Sequence, residues 1–207
     1  MHDKKRTRFP KWLVLIIGIM IGIVSLLAVR FIMYNPPSVH YHANFAVFIN
    51  GQREQFSNGK YYEEVAAVGC SLSPVDSPVE RAHMHGKVND AVHVHDSLVT
   101  WGNFFENIGW GVADTYLQTD KSLLQTDATN KLTFIVNGKT VDTIEGLIIG
   151  DEDRLLVSYG NESMTDIKKQ FESVASNAHE VNIANDPAGC SAGSKDITVQ
   201  DRFNHLF

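Results

Sequence analysis

The chain reads as an α+β protein: one apolar N-terminal helix, then one exported domain with a mostly antiparallel sheet and two or more helices. Three observations predict this. An uncharged apolar run fills residues 12–29, two strand–Asn-Gly–strand units recur further on, and amphipathic helical stretches lie between and after those units. A β-grasp arrangement is one form this domain could take.

The apolar run WLVLIIGIMIGIVSLLAV spans 18 residues and continues through Arg30 to Tyr34. About 20 apolar residues cross the hydrocarbon core of a bilayer, so residues 12–33 read as a transmembrane signal anchor. A cleaved signal peptide is the rival reading. Its apolar core would be only about 7–15 residues and would end in a small-residue cleavage site, which this run lacks. Lys4, Lys5, Arg6, Arg8 and Lys11 precede the span. Such clusters stay in the cytoplasm, so residues 1–11 form a cytoplasmic tail and the C-terminal domain lies outside, in the periplasm or at the cell exterior. Gly18 and Gly22 make a GxxxG, a weak signal for a homodimer or for pairing within a membrane complex.

Residues 34–39, with Asn-Pro-Pro, read as a stiff linker, and residues 40–207 as the exported domain. Residues 40–50 alternate. Tyr41, Ala43, Phe45, Val47 and Ile49 share one face, and His40, His42 and Asn44 point to the other, as in a half-buried strand. Asn50-Gly51 turns the chain into a return strand. Residues 61–68 fit either a strand or a short helix, and residues 71–78 a loop. A helix is expected over residues 98–108, capped by Asp96 or Ser97 and stopped by Gly109, with Leu98, Trp101, Phe104, Phe105 and Ile108 inward. Residues 115–118 suggest a strand, and residues 131–141 repeat the strand–Asn-Gly–strand pattern. RLLVSY (154–159) is a further strand. Ser163 then caps a helix reaching about residue 176, with Ile167, Phe171 and Val174 inward. Residues 181–207 read as an irregular tail.

Charge narrows the function classes. Six of the 18 basic residues but only one of the 24 acids lie at the N-terminal end, leaving 12 bases against 23 acids in the rest, a net charge of −11. That balance argues against nucleic acid and favours cations or basic partners. Cys70 and Cys190 both fall in the exported part, where an oxidising compartment predicts a disulfide between them.

Six of the nine histidines occur as His-x-His: His40/His42, His83/His85 and His93/His95. On a strand, each pair puts both imidazoles on one face. If residues 83–95 fold as a hairpin centred near Asn89, His85 meets His93 and His83 meets His95. Neutral imidazoles gathered in this way suit a transition-metal ion, copper or zinc. Glu80 and Asp96 could act as outer acceptors that orient a ring N–H. Met84, between two of the histidines but on the opposite face, reads as core. His2, His179 and His205 are unpaired and read as surface residues. Without a metal, the same cluster would act as a pH sensor. A lone His-x-His would be a solvated strand face; three together call for a common cause.

Paired histidines of this kind are similar to those of multicopper oxidases, but the His-Cys-His element of those enzymes is absent and their activity is not carried over. HYHANFAVFINGQ (40–52), HVHDSLVTWGNFFENIGW (93–110), KLTFIVNGKTV (131–141) and RLLVSYG (154–160) resemble an uncharacterised family of prokaryotic membrane-anchored proteins with an exported His-rich domain. The resemblance implies location and fold, and supplies no activity. The expected function is therefore extracytoplasmic metal binding for delivery, sequestration or structural use. A metal-dependent enzyme and a non-catalytic or pH-sensing subunit of a membrane complex are the alternatives. No hydrolase elbow, His-Glu-x-x-His helix or phosphate loop is present.

Overall fold

The computed structural model describes residues 10–34, 39–62, 78–183 and 199–206. They belong to two compact units, residues 38–193 in one and residues 1–37 with 194–207 in the other. In chain order the elements are α1 (Lys11–Met33), β1 (Tyr41–Ile49), β2 (Gln52–Arg53), α2 (Pro78–Arg81), β3 (Ala82–His83), β4 (Ala91–Val94), α3 (Trp101–Asn107), β5 (Gly111–Val112), β6 (Tyr116–Gln118), β7 (Leu123–Gln125), β8 (Lys131–Val136), β9 (Lys139–Val141), β10 (Arg154–Gly160), α4 (Met164–Glu172), α5 (Ala178–Ile183) and α6 (Val199–Asn204).

The larger unit is α+β. Its main sheet runs β3-β4-β1-β10-β8-β9, with β2 also paired to β1, and a small second sheet holds β5, β6 and β7. Every pairing is antiparallel except β1–β10, which is parallel with Asn44 opposite Arg154. Both Asn-Gly turns form as expected. Asn50 and Gly51 have φ of 49° and 75°, and Asn137 and Gly138 have 51° and 80°. Positive φ at both central residues matches the twist of the flanking strands, and Asn-Gly tolerates it at little cost.

One face of the sheet carries the principal core. Ala43, Phe45 and Val47 of β1 meet Trp101, Phe104 and Phe105 of α3, and Met84 lies fully buried among them. Alternation along β1 thus selects the core face as the sequence suggests. The opposite face is covered too, so β1 is not half-buried. Ala46 and Leu156 pack under Ile167, Phe171 and Val174 around α4, and Asn44 and His42 are fully buried. Ser163 caps α4 by accepting from the Asp166 amide at 3.2 Å. Arg154 then ties the far end down, donating to the carbonyl oxygens of Val174 and Ala175 at 2.5 and 3.0 Å.

The helix expected at residue 98 starts three residues later. Thr100 is its cap, in a reciprocal pair with Asn103 at 3.2 Å each way. Residues 99–101 are drawn instead into bonds with the 147–149 segment: Ile149 N donates to Val99 O and Trp101 N to Leu147 O. Leu98, at φ 63° and 70% exposed, is a surface residue rather than core. Gly109, at φ 79°, ends the helix as predicted. The tail is also more regular than its composition suggests, since it takes in the last three residues of α5 and all of α6. Residues 63–68, Cys70 and Cys190 lie outside the described residues, as does the predicted disulfide.

In the smaller unit, α1 is long and apolar enough to cross a membrane, with a mean hydropathy of 2.9 and no buried residue. Its C-terminal carbonyl groups, which no helical amide can reach, are met by Arg202 of α6. One guanidinium nitrogen donates to Phe31 O, Ile32 O and Tyr34 O at 2.7, 2.9 and 3.2 Å. The Phe31 and Phe203 rings meet edge to face, and His205 stacks on Tyr34.

Candidate metal centre

The three His-x-His pairs converge on the sheet face opposite the principal core. β1, β4 and β3 are adjacent antiparallel strands, with His42 opposite His93 and His93 opposite His83. Directly opposed side chains on one face lie within contact reach, so this register sets three imidazoles in a row. His40, one step outside β1, stacks on His95 with ring centroids 4.9 Å apart, and His95 stacks on His83 at 5.3 Å. His85 completes the group, its Nε2 2.9 Å from His93 Nδ1.

The register differs from the simple hairpin. His83, not His85, is opposite His93, because β3 ends after His83 and Met84 leaves to bridge with Tyr62. The chain then turns through Gly86 and Lys87, both at positive φ. A two-residue slip changes no faces, so in either register Ala82, Met84, Val92 and Val94 lie on the core side and the histidines on the other.

α5 covers this face through a matched spacing. Asn44 Oδ1 accepts from the Ala178 amide at 2.9 Å, and Asn44 Nδ2 donates to Asn177 Oδ1 at 2.8 Å. Two residues back along β1 is His42; four residues on along α5 is Asn182. Two strand steps span roughly 6.6 Å and four helical steps roughly 6.0 Å, so the second contact follows from the first. Asn182 Oδ1 accepts from the backbone N–H of His42 at 2.8 Å and from its Nδ1–H at 2.7 Å. The Asn182 amide group in turn donates to Asp151 Oδ1 at 2.8 Å, which fixes the amide orientation.

That anchor sets the tautomers. With its proton on Nδ1, His42 presents an unprotonated Nε2 to His93 Nε2, which it contacts directly. His93 then carries its proton on Nε2 and accepts from His85 Nε2 through Nδ1. The neutral cluster is a chain of donors running His85, His93, His42, Asn182. Likewise His83 donates Nδ1–H to Val79 O at 3.2 Å, leaving Nε2 for the site.

Burial holds His93 and His95 neutral. Desolvation, reinforced by the neighbouring His42, His85, His83 and His95, drives the pKa of His93 far below the ordinary imidazole range. His95 is pushed down to about 3, first by burial and then by His83, His40, His42 and His85. Neutral imidazoles with fixed lone pairs are what a transition metal binds. The ligand atoms of His40, His42 and His93 lie within 4.8 Å of one another, a group that could hold a metal ion. Tetrahedral zinc, with bonds of about 2.0–2.1 Å, places its ligand nitrogens roughly 3.4 Å apart, within reach of small side-chain movements.

Of the two expected outer acceptors, Asp96 is engaged elsewhere. Asp96 faces Arg81, with Nε to Oδ2 at 2.7 Å, and caps the Ser97 amide. Glu80 falls in α2, and its side chain lies outside the described residues. Among the described residues, Asn182 and the Val79 carbonyl accept from ring N–H groups, and neither is singled out by the sequence. Of the unpaired histidines, His179 sits at the surface against Glu152 at 2.6 Å. Removing an outer acceptor from a metal-bound imidazole costs about 10–100-fold in affinity. Asn182→Ala is therefore expected to weaken zinc binding by that factor in a chromophoric-chelator competition, with the far-UV circular dichroism unchanged.

The chain matches no family model, no curated protein and no solved structure.

Proposed function

We propose that the protein is a membrane-anchored, extracytoplasmic binder of a transition metal, copper or zinc, serving delivery, sequestration or structural use. The observation that carries this reading is the meeting of His40, His42 and His93 at one buried point, with His83, His85 and His95 packed around them. Several uncharged imidazoles buried together need a reason, since each loses hydration on folding. A bound ion supplies one, because metal-binding free energy adds directly to folding free energy. The acidic balance of the exported part favours cation capture.

The anchor reading rests on α1 and on the basic cluster before it, which sets the N-terminus in the cytoplasm. Two Asn-Gly hairpins flanking a central parallel pair, β1 with β10, support a β-grasp-like assignment for the domain. A pH sensor that works by charging rings in the folded protein would need histidines other than His93 and His95, which burial keeps neutral there. Elemental analysis of the purified full-length protein tests the reading. The wild type is expected to retain stoichiometric copper or zinc, and the His40→Ala/His42→Ala/His93→Ala variant to lose it while keeping its circular dichroism. Stoichiometric metal in that folded variant would remove these residues as ligands.

A further inference from the structure

We propose that the site takes two transition-metal ions that share the His93 imidazole, one ion replacing the proton between His93 and His42 and the other replacing the proton between His93 and His85. This deepens the metal-binding reading above and rests on it. His93 lies on β4, with β1 on one side and β3 on the other, so its ring has imidazole neighbours at both ends. Its Nε2 faces His42 Nε2 and its Nδ1 faces His85 Nε2 at 2.9 Å. Each of these nitrogen pairs has room for one acceptor lone pair and one proton. A metal ion that replaces the proton turns both nitrogens into ligands.

The two ligand sets divide along the strands. The first ion takes His40, His42 and His93 Nε2. The second takes His93 Nδ1, His85 Nε2 and His83, whose ring centroid is 5.9 Å from that of His93 and 5.8 Å from that of His85. Val79 O already holds the Nδ1–H of His83, so Nε2 is the atom it offers. Asn182 does the same for His42 in the first set. When the first ion binds, the His93 proton moves to Nδ1 and is donated to His85 Nε2, whose own proton shifts to His85 Nδ1. When the second ion binds, the proton on His93 Nδ1 leaves to solvent, and the bridging ring carries a negative charge shared by two cations. His85 and His40 are only partly buried, whereas His42 and His93 are enclosed. Each set therefore has one member with access to solvent, His40 in the first and His85 in the second.

Metal titration of the detergent-solubilised full chain with Zn(II) and with Cu(II) tests the proposal. Two ions per chain are expected in the wild type and one in His85→Ala, a part-exposed turn residue that the core does not need. With copper, two ions joined through one imidazole couple, so the wild-type electron paramagnetic resonance signal should integrate to far less than its copper content. The signal of the one-copper His85→Ala variant should match its copper content. A single ion in the wild type, two ions in His85→Ala, or two fully visible coppers would each overturn the shared imidazole. A single wild-type ion would leave the simpler metal-binding reading standing, whereas no ion at all would remove both.

Discussion

Stripped of metal, the protein is expected to lose about 3–4 kcal/mol of stability between pH 7 and pH 5, through His93 and His95. Both have folded-state pKa values below the unfolded value of 6.5. Above pH 6.5 neither state binds the protons, and stability does not depend on these groups. Below it the unfolded chain takes up protons that the buried rings refuse, and stability falls by up to about 1.4 kcal/mol per pH unit for each histidine. For His95 the fall continues to about pH 3. Asp120, Asp127 and Asp166 have lowered pKa values, so whatever stability they add is present across this window and is lost only as the pH falls through the carboxylate range. His179, raised by Glu152, acts with the opposite sign but from a fully exposed position. Against a typical total of about 5–15 kcal/mol, the histidine effect is large. Urea midpoints of chelator-treated protein at the two pH values measure it. Equal midpoints would mean that the rings are hydrated, and bound metal should flatten the profile.

Phe45→Ala is expected to cost about 3–5 kcal/mol, because its cavity opens where strand and helix meet. Phe45 is fully buried, with ring centroids 4.9 Å from Phe104 and 5.4 Å from Phe56. For a domain of this size, each kcal/mol moves the thermal midpoint by about 2–4 °C, so a drop of roughly 10 °C is expected by circular dichroism. Leu98→Ala is the matched control. Sequence periodicity puts Leu98 in the same core, but it is 70% exposed, and the change should stay within about 0.5 kcal/mol. Similar losses from both variants would overturn the placement of α3.

Local chemistry explains which parts were legible in the sequence. Asn50-Gly51 and Asn137-Gly138 specify their turns through backbone conformation alone, and the alternation of β1 names its core face correctly. The histidine spacing likewise announced a shared face. Its register was not legible, because the departure of Met84 toward Tyr62 is decided by a bridge to a distant segment. The second covered face of β1 was hidden because Ala46, Asn44 and His42 look like solvent-facing residues until α4 and α5 pack on them. Asn182 left no local mark at all. Only a buried asparagine at position 44, sharing a face with His42, hinted that something polar must dock there.

The single parallel pairing sets a timetable for synthesis. β1 emerges from the ribosome 110 residues ahead of its central neighbour, as the pairing of Asn44 with Arg154 shows, and the amide that orients His42 arrives 140 residues after it. At about 5–20 residues per second, the first strand waits roughly 6–22 s before its neighbour exists. The imidazoles of a nascent chain are therefore free to capture an ion before the sheet closes over them. Metal supply during translation, and not only afterwards, would then influence how much protein matures correctly.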